Sequence, residues 1–359
     1  MKKILLAAGP NSGALLLAPL YEALQKSDAC NPLAVIAAVT GEAPVSRELA
    51  AGFNIGDDLL LLQLQDGSPA EQLASMMTGM EKIILAEQPD LVIACGAHNA
   101  AMGAAFSAAK LGVRVAAADS GLRSYDRSDS LEINRIVIDA IADLHFLSER
   151  SGEFNLINEG VDDEKVFFAG NLAIDSLVRL MEQANKLPPA GIAGIKPKKY
   201  ALLLLGPEAK SARDLILRIV RELSLRIPVL MARTGTPDPA FSAIEGLVVI
   251  DHPGYLALLP LLRDAAMLLT DSEEMQPEAT VMSVPCLTMM ESTSRPATIE
   301  IGTNVLVGDD EEEIMAEIEG ILKPGDHQHA SLRSKIPEKW DGASASRIVA
   351  VLERVLQPS

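Results

Sequence analysis

Aromatic residues are scarce in this chain: one Trp, four Tyr and seven Phe, 3% of 359 residues. That disfavours a β-sandwich, which leans on aromatic cross-strand pairs, and leaves Ala, Leu, Ile and Val to fill the core. Cysteines number three, Cys30, Cys95 and Cys286, an odd count without metal-ligand spacing. Cys95 in LVIACG and Cys286 in VPCL sit in strand-like runs and read as buried thiols in a reducing compartment. Positive charge is short as well, 31 Lys and Arg against 49 Asp and Glu, a formal −18. This excludes a general affinity for nucleic acid or anionic membrane. Any anionic ligand must therefore be met by local Arg or Lys. Long apolar runs are missing too, and none approaches the length of a membrane span. The opening MKKILLAAGPNSGALLLAPL imitates a signal peptide, but Gly9-Pro10-Asn11-Ser12-Gly13 interrupts it. A strand, a loop and a helix account for it, and the reading is a cytoplasmic protein.

What is present is a long alternation of short apolar runs with helical patterns, the signature of parallel βα units. Ile4–Ala8, Leu33–Val39, Leu59–Leu62, Leu91–Cys95, Val113–Ala117, Leu144–Leu147 and Val166–Phe168 read as one series of strands. A second series comprises Tyr200–Leu205, Pro228–Met231, Leu247–Ile250, Ala266–Leu269, Val284–Met289 and Asn304–Val307. The runs are continuously apolar, as strands covered on both faces require. Ser68-Pro69-Ala70-Glu71 predicts a helix start, with Ser68 as cap, Pro69 at the first position and Glu71 completing a capping box. The Pro, Gly and Lys residues of 186–199 form the best linker. The chain thus divides into an α/β domain over 1–185, a second over 200–344, and a closing helix over 345–359 that crosses back to the first. Both domains are expected to be doubly wound and Rossmann-like, facing one cleft, with ligands beyond the carboxyl ends of the strands.

Several segments carry a family resemblance in order and spacing along almost the whole chain. They are Pro89-Asp90-Leu91-Val92-Ile93 with Gly96, Asp119-Ser120-Gly121-Leu122-Arg123-Ser124, and Glu132-Ile133-Asn134-Arg135 with Ala142-Asp143-Leu144-His145-Phe146. Gly160-Val161, Gly170-Asn171 and Ile174-Asp175 follow, then Thr270-Asp271-Ser272, Gln276, Glu278, Pro285, Arg295-Pro296 and Gly302-Thr303. This set resembles the UDP-N-acetylglucosamine 2-epimerase family. The resemblance implies a GT-B-like fold, a nucleotide sugar as ligand, no cofactor or metal, a homodimer and a place in polysaccharide biosynthesis. It also implies a chemistry in which the C2 proton is removed, UDP is expelled, and both return on the other face.

Carried over residue by residue, the resemblance makes Asp119 and Glu132 catalytic candidates, and His98 joins them as the residue beside a lost family aspartate. Gly9, Asn11, Arg233, Ser272, Gln276, Glu278 and Arg295 are the nucleotide candidates, and Arg123 and Arg135 face the substrate. Departures are as informative. Ala97 stands where the family has an aspartate, and the neighbouring His98 either replaces it or is solvated. Asp119 is one methylene shorter than the family glutamate. Glu132 and Arg135, three apart on a helix, are either active-site groups or an intrahelical ion pair. Gly206-Pro207-Glu208-Ala209-Lys210 lacks the family's histidine and arginine. Glu273 and Glu274 replace two glycines at the expected phosphate turn, where two carboxylates would repel a diphosphate. Tyr255 reads as core, and His327-Gln328-His329 as a solvent-facing pair. The departures leave open a second reading, a catalytically impaired relative or a GT-B-type enzyme with a changed ligand.

Overall fold

The computed structural model describes the chain outside residues 11, 40–51, 54, 56–58, 65–66, 187–194, 207–212, 234–238, 252, 324–334 and 357–359, and outside the side chains of residues 38, 39, 69, 233 and 251. Two compact units emerge: Met1–Val178 with Glu338–Ser359, and Arg179–Pro337. His327, His329, Glu208 and Lys210 lie outside the described residues, as does most of the linker.

The first unit alternates β1 (Lys2–Ala8), α1 (Ser12–Gln25), β2 (Cys30–Val39), β3 (Leu59–Leu64), α2 (Pro69–Glu87), β4 (Leu91–Cys95) and α3 (Asn99–Lys110). It continues with β5 (Arg114–Ala118), α4 (Ser130–Ile141), β6 (Leu144–Leu147), α5 (Ser151–Asn158), β7 (Val166–Phe168) and α6 (Leu172–Ala184). The strands pair in parallel in the order β3-β2-β1-β4-β5-β6-β7. Alternate residues of β1 explain the continuous apolar runs. Leu5 and Ala7 pack with Met76 and Met80 of α2 and with the alanines of α3, yet Ile4, Leu6 and Ala8 of the opposite face are equally buried. A strand covered on both faces has no polar side to alternate.

The second unit runs β8 (Ala201–Leu204), α7 (Arg213–Ser224), β9 (Val229–Arg233), α8 (Pro239–Ser242), β10 (Leu247–Asp251), α9 (Tyr255–Arg263) and β11 (Met267–Thr270). Then come α10 (Gln276–Val281), β12 (Cys286–Thr288), α11 (Pro296–Glu300), β13 (Asn304–Leu306) and α12 (Glu311–Leu322). Its parallel sheet has the order β10-β9-β8-β11-β12-β13. Both sheets therefore reverse their winding once, between β1 and β4 and between β8 and β11. Those are the points where an open α/β sheet leaves a crevice at its carboxyl edge. All thirteen expected strands are present, β5 and β11 each displaced by one residue from their sequence-based limits.

Local signals act as the sequence implies. Ser68 accepts the Glu71 amide at 3.4 Å while Glu71 accepts the Ser68 amide at 2.8 Å, closing the capping box of α2. The helix stops at Gln88, in a left-handed conformation just before Pro89. The closing helix, α13 (Ser344–Val355), belongs to the first unit and packs on α1. Its start is fixed by Asp175 of α6, whose buried carboxylate accepts the Ser344 and Ala345 amides at 3.1 and 2.8 Å. Asp175→Ala should cost about 0.5–2 kcal/mol, the usual loss for a helix cap, read as a lower urea midpoint.

Candidate functional site

At the switch point of the first unit, the loops after β1 and β4 meet. Ser12 Oγ, at the start of α1, lies 2.8 Å from His98 Nε2, in the turn before α3. Gly9 permits this approach, because a Cβ there would stand 2.9 Å from the His98 Cβ. Burial, and then the Arg135 charge, hold the His98 imidazole below its ordinary value. It is thus neutral at neutral pH and, half-buried, bonded to Ser12. Asn11 is outside the described residues.

Beside it, a small concavity opens at the ends of β4 and β5, lined by Gly96, Ala97, Asp119, Ser120, Arg135 and Asp139, among others. Asp119 follows β5 with φ 68°, in the left-handed region that non-glycine residues seldom adopt. Such backbone survives where the surroundings over-determine it. Here α4 supplies that determination. Glu132, Arg135 and Asp139 recur at helical spacing and turn toward the 119–125 loop.

Glu132 is 1% exposed. Its carboxylate accepts the Ser124 amide at 2.9 Å, the Ser124 hydroxyl at 3.1 Å, the Tyr125 amide at 3.1 Å and Arg135 Nη1 at 3.3 Å. The intrahelical ion pair of the sequence reading exists, but it is buried, and the carboxylate chiefly anchors the loop. Two turns on, Asp139 accepts the Ser120 hydroxyl, the Gly121 amide at 3.0 Å and Arg123 Nη1 at 2.7 Å. Gly121 carries φ 78°, and a Cβ there would meet the Gly152 carbonyl oxygen at 2.6 Å. Arg123 completes its fork on Glu159, at 2.8 and 2.6 Å, and gives a further bond to the Leu122 carbonyl. The Arg123 guanidinium is thus committed inside the protein, with a side chain 1% exposed, rather than presented to a substrate.

Asp139 escaped the sequence reading, and Asn134 entered it only as part of the Glu132–Arg135 motif. Asn134 donates to the Ala97 carbonyl at 2.9 Å and to Asn99 Oδ1 at 3.0 Å, joining α4 to the β4 loop. The available signal was spacing alone: Glu132, Arg135 and Asp139 share a helix face.

The second unit repeats the design with other side chains. Asp271, after β11, accepts the Gly206 amide at 2.7 Å and so ties together the two loops at the switch point. Ser272 Oγ accepts the Glu274 amide at 3.1 Å. Gln276 is fully buried and donates to Thr288 Oγ1 at 3.2 Å. Glu278 is also buried and accepts the Tyr255 hydroxyl at 2.9 Å, so Tyr255 is core and a hydrogen-bond donor at once. Burial pushes the Glu278 carboxyl up, opposed by Tyr255 and by the Arg295 charge. The structure thereby brings Ser272, Gln276, Glu278 and Arg295 to one edge of the sheet. Arg233 closes β9, its side chain outside the described set. Glu273 and Glu274 do not act as a pair. Glu274 is exposed, whereas Glu273 folds onto the next loop, accepting the Ser294 amide, the Ser294 hydroxyl at 2.7 Å and the Thr293 hydroxyl at 3.2 Å. Among the described residues no cluster of three metal-ligating side chains occurs. No described helix is long and apolar enough to cross a membrane.

Two parallel Rossmann-like units with loops joined at each switch point define a GT-B-like protein. The sequence profile of the UDP-N-acetylglucosamine 2-epimerase family matches residues 24–353. A UDP-N-acetylglucosamine 2-epimerase of Methanococcus maripaludis is 32% identical over 285 residues, 74% of this chain and 78% of its own. The Escherichia coli enzyme of that name is 27% identical over 98% of both chains. The crystal structure of Methanocaldococcus jannaschii UDP-GlcNAc 2-epimerase in complex with UDP-GlcNAc and UDP superposes with a TM-score of 0.86, at 27% identity, over 99% of this chain and 100% of that one. The chain belongs to the UDP-N-acetylglucosamine 2-epimerase family.

Two measurements check the electrostatics. Asp139→Ala strands a buried guanidinium and should cost about 3–5 kcal/mol in urea unfolding. Glu159→Ala, which removes a carboxylate that is 40% exposed, should cost about 1 kcal/mol or less. For Glu278, a folded pKa above the unfolded one means that its contribution to stability is complete below about pH 4.3. That contribution is lost as pH rises through the folded value. Glu278→Gln should flatten this part of the melting-temperature profile, and an unchanged slope would contradict the assignment.

Proposed function

We infer that the protein binds a UDP-N-acetylhexosamine and turns it over as a UDP-N-acetylglucosamine 2-epimerase, with Asp119 as the proton-transfer group. The observation that carries this reading is the concavity at the ends of β4 and β5, which holds Asp119 beside Arg135. The carboxylate takes the C2 proton and the electron pair forms the C1–C2 double bond. The C1–oxygen bond breaks in the same step, and UDP leaves with its pair. Re-addition of UDP and of a proton on the other face completes epimerisation. Arg135 stabilises the anionic charge that develops, because a fixed cation in a partly buried site costs no reorganisation at that moment. His98, neutral and held by Ser12, serves as the second proton carrier where Ala97 offers none.

Glu132 takes a supporting role in this reading, since its oxygens are engaged by the Ser124–Tyr125 backbone. Arg123 likewise acts through Asp139, not on the substrate. Nucleotide recognition is assigned to the second unit, where Glu278 offers carboxylate oxygens to a ribose diol, and Ser272, Gln276 and Arg295 flank it. Gly9, Asn11 and Arg233 remain nucleotide candidates on family kinship. The same kinship and the −18 charge support a cytoplasmic homodimer serving polysaccharide biosynthesis.

A second reading has its own observation. Ala97 lines the concavity with a methyl group, so the family's carboxylate is missing from the place where Asp119 and Arg135 meet. In that reading the protein binds the nucleotide sugar without useful turnover. Steady-state assays by proton NMR separate the two. Turnover of UDP-N-acetylglucosamine by the wild type, lowered at least about a hundredfold by Asp119→Asn, supports the first. An inactive wild type that gains turnover on Ala97→Asp supports the second and contradicts the first.

A further inference from the structure

Glu273 departs from the family pattern and, unlike its exposed neighbour Glu274, turns toward the protein. It belongs to the loop after β11, yet its carboxylate reaches the loop after β12. There it takes one backbone amide and two hydroxyls, from Ser294 and Thr293. Ser294 is fully buried, and its amide and hydroxyl both point at the Glu273 carboxylate. A backbone N–H with two hydroxyls is a donor set suited to any anionic oxygen. The carboxyl edge beside a switch point is also where open α/β sheets place their ligands. Thr293 reaches Gln276 as well, at 3.1 Å, which connects the latch to the buried cluster around Gln276 and Thr288.

We propose that Glu273 is a specificity-determining residue: a resident anion that occupies the Thr293 and Ser294 donors in cis and competes with an anionic group of the ligand. It rests on the nucleotide reading of the second unit. A ligand phosphate gains those donors only by displacing the carboxylate, and it meets the carboxylate's charge in doing so. A neutral nucleoside bypasses the competition. The charge of Glu273 therefore weakens nucleoside diphosphates selectively and leaves nucleoside binding alone.

Calorimetric titration of the full chain with uridine and with UDP tests this, in wild type, Glu273→Gln and Glu273→Ala. Gln keeps an acceptor for the Ser294 amide and removes the charge, so it guards against a loop that fails to fold without the latch. The expected result is UDP binding tightened by about tenfold in both variants, with uridine unchanged. Unchanged or weaker UDP binding overturns the competition, as does an equal gain for uridine. Uridine binding with no selective gain for UDP leaves the nucleotide reading standing and sinks this inference alone. Binding of neither compound by any of the three proteins overturns both.

Discussion

The grip of helix α4 on the loop after β5 is the interaction on which the first site depends. Two carboxylates two turns apart, Glu132 and Asp139, accept three backbone amides and two hydroxyls from residues 120–125. They also hold two arginines. A buried carboxylate is costly unless it is paired and hydrogen-bonded, and here that requirement fixes one loop geometry. Asp119, with its left-handed backbone, sits where the loop leaves the strand. A shift of order 1 Å at a reacting group can cost about a hundredfold in rate, so a rigid mount suits a carboxylate one methylene shorter than the family's glutamate.

The second unit joins its loops through a different set of contacts. Asp271 binds the Gly206 amide, Gln276 and Thr288 bond inside the core, and Glu273 crosses to Ser294. The Asp271 and Glu273 contacts each join a loop after one strand to a neighbouring loop. The sheet order makes these loops neighbours, because β11 lies between β8 and β12. Charge placement follows from the same geometry. Of the two glutamates replacing glycines, one is spent on loop donors and the other faces solvent, so the turn carries less unpaired charge than the sequence implied.

The sheets were legible in the sequence because buried parallel strands are continuous apolar runs bounded by turn residues. Helix starts such as Ser68–Glu71 carried their own chemistry. The site was legible only where a motif preserved a residue. Asp139 sits in an apolar stretch with no motif to mark it, and its partners come from a loop 16–19 residues earlier. Glu132 was visible as a candidate but not as a loop anchor, since its acceptor sites are filled by backbone amides that have no sequence signature. Glu273 reads as a repulsive charge until Ser294, 21 residues away, is placed against it by β12.

The most direct measurement is solvent exchange at the sugar. UDP-N-acetylglucosamine is incubated with the protein in D₂O at high enzyme concentration, beside a catalytically competent family member as control. Deuterium appearing at C2, with or without free UDP, is the predicted result, and it would place proton transfer in this molecule whatever its overall rate. A C2 proton that stays in place while the control exchanges would contradict the account of Asp119.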